Sequence, residues 1–155
     1  MKTHLSAACL LMTVMSVPAL AQNTEAPPTF GEVSLSSGFT PDPYRIELNA
    51  GGEINASQSL GSNCTGFIAG PPDVNLHYNA TSFPLVMSVS ARSDTSLIIK
   101  GPDNRWYCDD GVADGSSPSV HVATPVSGTY SVWVGAYNGT KSTTATLSIS
   151  ELFSH

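Results

Sequence analysis

Across residues 44–149 the apolar side chains return at every second position and never hold a period near 3.6. That spacing points to strands and away from helices. In 43–49, Tyr44, Ile46 and Leu48 fall on one face and Arg45 and Glu47 on the other. In 73–78, Val74, Leu76 and Tyr78 oppose Asp73, Asn75 and His77. The same alternation turns Leu85, Met87, Val89 and Ala91 inward, then Val120 and Val122, then Ala145, Leu147 and Ile149. Residues 95–100 are apolar on both faces, as a central strand is. In 129–137, Tyr130, Val132, Val134 and Ala136 share one face, and Ser131, Trp133, Gly135 and Tyr137 share the other. Gly, Pro, Asn and Asp punctuate these stretches: a turn at 50–52 before a short strand predicted at 53–58, a tight turn at 93–94, and Asn138-Gly139 as the strongest hairpin signal. About eight to ten short strands so spaced predict an all-β, antiparallel β-sandwich.

The amino terminus follows other rules. Lys2 and His4 precede an apolar run over 5–17, then Pro18 and the small-residue pattern Ala19-Leu20-Ala21. This is the pattern of an export signal peptide over 1–21, cleaved before Gln22. The run is shorter than the ~20 residues a membrane span needs. Cys9 lies deep within it and leaves with it. Residues 22–38 are rich in Pro, Ser and Gly and read as a flexible linker with a short strand near 31–35, so the folded domain is expected over 39–155. The destination is the periplasm or the extracellular space.

Charge narrows the partners. The whole chain carries a net charge of −6, and loss of Lys2 with the signal takes it to −7. Such a surface lacks the basic patch that nucleic acid demands, and it does not suit an anionic membrane. A protein or carbohydrate partner stays open. Cys64 and Cys108 remain after processing, and an even count in an oxidising compartment predicts a disulfide. Closing so long a loop stabilises the fold by roughly 3 to 4 kcal/mol.

The densest chemistry lies in 101–111, GPDNRWYCDDG. Asp109, Asp110 and Asp114 fall close together, with Gly111 and Gly115 allowing tight turns and Asp103 nearby. Two readings fit this acidic loop. Carboxylates and inward-turned carbonyls suit a calcium ion, although the spacing departs from the EF-hand pattern. Alternatively, the Asp side chains cap backbone amides in solvated turns. The aromatic residues also read two ways. Trp106, Trp133 and Tyr137 could stack on a sugar or grip a peptide, or they could fill the core beside the disulfide. His77 and His121 sit on polar strand faces, and no paired spacing marks them or His155 as metal ligands. No Gly-x-Ser-x-Gly elbow is present, and adjacent Asp109 and Asp110 would point apart on a strand, which makes them a poor glycosidase pair.

The opening YRIELNAGG at 44–52, PDVNLHY at 72–78, DTSLIIKGPDNRWYCDD at 94–110 and SGTYSVWVGAY at 127–137 together resemble the bacterial pre-peptidase C-terminal domains and their stand-alone exported relatives. That resemblance implies a jelly-roll-like sandwich, appended in other proteins to secreted hydrolases. It implies a non-catalytic module, in some branches calcium-binding and in some an aid to substrate binding. The reading that follows is an exported accessory module, calcium-stabilised through Asp103, Asp109, Asp110 and Asp114, that engages a protein or carbohydrate. The alternatives are a small secreted hydrolase with a loop-assembled site and a structural envelope or inhibitor protein.

Overall fold

A computed structural model describes residues 22–111, 117–137, 139 and 142–152. The signal-peptide reading of 1–21, Asp114 and Gly115, the Asn138 half of the hairpin signal and His155 lie outside the described residues. The described chain forms two packed sheets. It runs through β1 (Glu32–Ser36), β2 (Tyr44–Ala50), β3 (Ile54–Asn55), α1 (Ala56–Leu60), β4 (Phe67–Ile68), β5 (Val74–Asn79), β6 (Leu85–Ala91), β7 (Thr95–Lys100), β8 (Trp106–Asp109), β9 (Ser119–Val122), β10 (Gly128–Ala136) and β11 (Thr143–Ser150). The smaller sheet has the order β2-β11-β6-β9. In the larger, β10 is the hub. One edge pairs with β5 over Gly128–Val132 and then with β4 at Ala136, and the other edge pairs with β7, which in turn carries β8. The sandwich expected from the alternating pattern is therefore the observed fold.

The period-2 pattern decides the core. Leu76, Met87, Leu97, Val132, Leu147 and Ile149 are all fully shielded between the sheets. The outer face of the smaller sheet is polar, as an antiparallel sheet with one solvated face allows. The larger sheet is covered on both sides only around Ile98 and Trp133. Over its outer face lies a second, smaller core of Ile54, Ala56, Cys64, Ile68, Ile98 and Trp133. The lobe of β3, α1 and β4 that forms it replaces the strand expected over 53–58. Helix α1 is short, and Asn55 caps it by accepting from the Ser57 amide at 3.1 Å. Gly66 and Gly135 allow the lobe to seat closely: a Cβ on either would come within 2.3 and 2.4 Å of the Ser96 hydroxyl.

Residues 22–38 also depart from the expected linker. β1 pairs with β5 in parallel, from Glu32 opposite Asn75 to Ser36 opposite Asn79. Upstream, the amides of Asn23, Thr29 and Phe30 donate to the carbonyls of Gly70, Pro72 and Asp73. Phe30, Val33 and Leu35 pack against the main core. A short strand near 31–35 was legible, but its binding partner was not. The following loop is pinned by buried Glu151, whose carboxylate accepts from the Gly38 amide at 2.7 Å and from the Tyr78 hydroxyl. Burial and the Glu151 carboxylate push the Tyr78 hydroxyl up to about 12, so it remains a donor at neutral pH.

Asp73 fills a gap in the larger sheet. Between the end of β4 and the start of β5, the Val134 amide has no strand partner on that edge, and it donates to the Asp73 carboxylate at 2.7 Å. The Val134 carbonyl accepts from the Gly51 amide at 2.8 Å. An unmade buried bond would cost about 1 to 3 kcal/mol, so the carboxylate completes the sheet. Its own burial pushes Asp73 up from 3.8 to about 7. The native state therefore binds this proton more tightly than the unfolded chain does. The resulting stabilisation is full below 3.8, falls as pH rises and is gone above about 7. Asp73→Asn keeps the acceptor without the charge. Urea unfolding should show the wild type losing a few kcal/mol across that window and the variant losing far less, so that Asp73→Asn is the more stable protein at pH 8.

Candidate functional site

The two ends of the sandwich differ. At one end lie the β5–β6 and β9–β10 connections and the β7–β8 turn, with Phe83 and Val126 about half exposed. At the other lie the β6–β7 turn, the end of β8, the start of β9 and the start of β11. This second end is the rim that carries the candidate site.

The rim is built from the disulfide outward. Cys64 and Cys108 are bonded, tying the loop after α1 to β8 across a sequence separation of 44 residues. Beside them the Thr65 hydroxyl donates to Asp110 at 2.8 Å. Asp109, one residue earlier, faces the opposite side of the larger sheet and accepts from the Ser119 amide at 2.7 Å, which sets the start of β9. The Val89 amide donates to the Pro118 carbonyl at 3.0 Å, and the Tyr137 amide to the Asp94 carbonyl at 3.0 Å. The β6–β7 turn, both ends of the β8–β9 connection and the exit of β10 are thus fixed to one another.

Two hollows flank this turn. The larger, of about 550 Å³, is lined by Ser90, Ala91, Arg92 and residues 143–146 of β11. The smaller, of about 210 Å³, runs from Ala91 to Thr95 and reaches Asp110 and Ser117. Arg92 borders both, and it is exposed with no ion pair among the described residues. Among the described residues, neither hollow is lined by a histidine or a lysine. A Glu32–His77–Thr129 chain does occur, at 3.3 and 3.0 Å, but it lies on an open sheet face away from both hollows.

The residues singled out from sequence are dispersed. Asp103 sits at the tip of the β7–β8 turn, at the other end of the sandwich from Asp109 and Asp110, with β8 between them. There it accepts from the Arg105 amide at 3.1 Å and the Tyr107 hydroxyl at 2.7 Å, and the Tyr107 bond holds its carboxyl below the usual range. It is a turn-capping aspartate, and it cannot join the other two around one ion. Among the described residues, no group of three or more His, Cys, Asp or Glu side chains could hold a metal. Of the two readings left open for Trp133, the core one holds: the disulfide lobe covers its strand face, and Trp133 is 0% exposed. Trp106 lies against it at 5.5 Å between ring centroids, and the Lys100 ammonium stands 5.2 Å from the Trp106 ring. Tyr137 is half-buried beside the rim. The tryptophans thus fill the second core and form no flat aromatic platform. Arg92 escaped sequence reasoning because a single arginine in a turn has no pattern. The available signal was scarcity: it is one of only six Lys and Arg residues in the whole chain.

Fold and site define an all-β, two-sheet protein with a disulfide-braced polar rim. No protein-family model matches the chain, and no curated protein does. Among solved structures, the chain is similar to Aeromonas hydrophila PliG, a periplasmic lysozyme inhibitor of g-type lysozyme. The two share 16% sequence identity over 77% of this chain and 96% of that one, with a TM-score of 0.38. A likeness of that degree carries no argument about what this chain binds.

Reduction of Cys64–Cys108 should lower the unfolding free energy by about 4 kcal/mol, the chain-entropy value for a loop of this length. Guanidinium unfolding of the oxidised protein and of the Cys64→Ala, Cys108→Ala double variant measures it. A difference below about 1 kcal/mol would mean that the lobe is held by packing alone.

Proposed function

We propose that this chain is a non-catalytic, exported β-sandwich protein that docks a protein partner on the rim around Arg92, in the periplasm or outside the cell. The observation that supports this most strongly is the bracing of the rim. A disulfide and several hydrogen bonds hold an exposed arginine between two polar hollows. A surface ordered before binding loses less entropy on association. The disulfide itself fits an oxidising compartment. Burial of Trp133 and the engagement of Trp106 favour a protein partner over a sugar stacked on aromatic rings. Calcium is not part of the proposal, because Asp109 and Asp110 turn to opposite sides and each holds a protein donor. Kinship with the pre-peptidase C-terminal domains stays within it, supported by the Gly-Pro-Asp turn and the Ser-Gly-Thr-Tyr strand entry. An inhibitor of a secreted hydrolase is the form of this proposal to test first.

A photo-crosslinking side chain placed at Ser93 or Thr144, in the cells that export the protein, should capture a discrete protein, and one placed at Phe83 should not. All three positions are exposed. Arg92→Glu should weaken that capture by about tenfold or more, with Tm unchanged because the residue is exposed. Capture at Phe83 alone, or at no position, contradicts the proposal. The activity of a g-type lysozyme, the enzyme PliG is described as inhibiting, measured with and without the protein then decides the inhibitor form.

A further inference from the structure

We infer that the larger hollow beside Arg92 is a carboxylate-binding site, and that the partner segment it receives is acidic. The inference rests on the reading of the rim as a docking surface and adds the chemistry of what docks.

Four observations carry it. First, Arg92 is spare. Arg105 lies 3.6 Å from Asp103, and Lys100 donates to the Asn104 carbonyl at 2.7 Å and stands over Trp106, whereas Arg92 has no such partner among the described residues. A planar guanidinium is the side chain best matched to a carboxylate, which it can bind through two parallel hydrogen bonds. Second, the other walls are hydroxylic. Ser90, Thr143 and Thr144 line the same hollow, and Ser and Thr hydroxyls can donate to the carboxylate lone pairs that an arginine leaves free. Third, the two hollows differ in charge. Asp94 and Asp110 line the smaller one, and among the described residues no acidic one lines the larger. On the β2 side, the Glu47 carboxylate accepts from the Thr146 hydroxyl at 2.7 Å. In a chain of net charge −6, the larger hollow is a local exception to an acidic surface. Fourth, among the described residues no large apolar or aromatic side chain lines it, so it offers little to a hydrophobic anchor and much to an anion.

The geometry also separates the two hollows by role. An acidic side chain entering the larger hollow meets Arg92 from the β11 side. A basic neighbour in the same partner segment would meet Asp94 and Asp110 from the other side. Such a surface selects for the order of charges along the partner as well as for their presence, because the reversed order sets like charges against each other.

The test uses the oxidised mature protein labelled with nitrogen-15 and two probes of matched shape, N-acetyl-glutamate amide and N-acetyl-glutamine amide. The glutamate probe should shift the Arg92 side-chain Nε–H resonance and the Thr144 and Thr146 amides in a saturable manner, with millimolar affinity. The glutamine probe should not. Arg92→Gln should abolish the response, and Arg45→Gln, at an exposed arginine outside the hollow, should leave it intact. Equal responses to the two probes, or shifts spread evenly over Arg45, Arg92 and Arg105, would overturn the inference, because the anion would then be reading general charge. Capture at Ser93 without a glutamate response would leave the rim as a docking surface and remove its carboxylate chemistry. A glutamate response without capture would keep the site and remove the protein partner.

Discussion

The structure depends on β10 being buried on both faces. Its inward residues, Tyr130, Val132 and Val134, fill the space between the sheets. Its outward Trp133 fills the second core under the disulfide lobe. A sandwich strand ordinarily spends only one face on the core and leaves the other to water. Here the second face had to be covered, because an exposed indole above Ile98 would leave a large apolar area in solvent. The lobe of β3, α1 and β4 supplies the cover, and Cys64–Cys108 secures it at the end where the connections gather. Truncating a tryptophan buried to this degree costs about 3 to 5 kcal/mol, so the lobe and the sheet stabilise each other.

The rim follows from that arrangement. Cys108 and Asp110 point to the lobe side of the larger sheet, and Tyr107 and Asp109 point to the sandwich side. Four consecutive residues therefore bind the lobe, the main core and the start of β9. With these three held together, the turn at Arg92–Asp94 is presented between two hollows instead of folding over them. Asp109 and Asp110, two of the carboxylates read as metal ligands, fasten this assembly. The same holds for Glu151 and Asp73, which complete the opposite loop and a gap in the larger sheet.

Much of the fold was legible. The alternating stretches at 44–49, 74–78 and 85–91 became β2, β5 and β6 with their expected faces inward, because a sheet with one buried face writes its register into the sequence. Residues 95–100 read as central and lie between β10 and β8. Three things were not legible. The parallel pairing of β1 leaves no local mark, since residues 22–31 dock mainly through backbone groups. The lobe was hidden because its two strands are two residues each, too short to show a period. Trp133 shared a face with Ser131 and Gly135, which left its burial undecided; only a distant segment closing over it makes that face a core. Asp103 was grouped with Asp109 and Asp110 for a related reason. Closeness in sequence suggested closeness in space, but β8 carries Asp103 and Asp110 to opposite ends of the sandwich.

The most direct measurement is amide hydrogen exchange of the oxidised protein and of Trp133→Phe, which removes part of the second core and leaves the disulfide in place. If the lobe and the outer face of β10 brace the rim, protection should fall first at Ala56, Ile68, Asp110 and Tyr137. Leu48, Met87 and Leu147 in the smaller sheet should exchange as in the wild type. If protection falls equally in both sheets, or stays unchanged at the rim, the second core is not what holds the rim in place, and the dependence of the rim on β10 is contradicted.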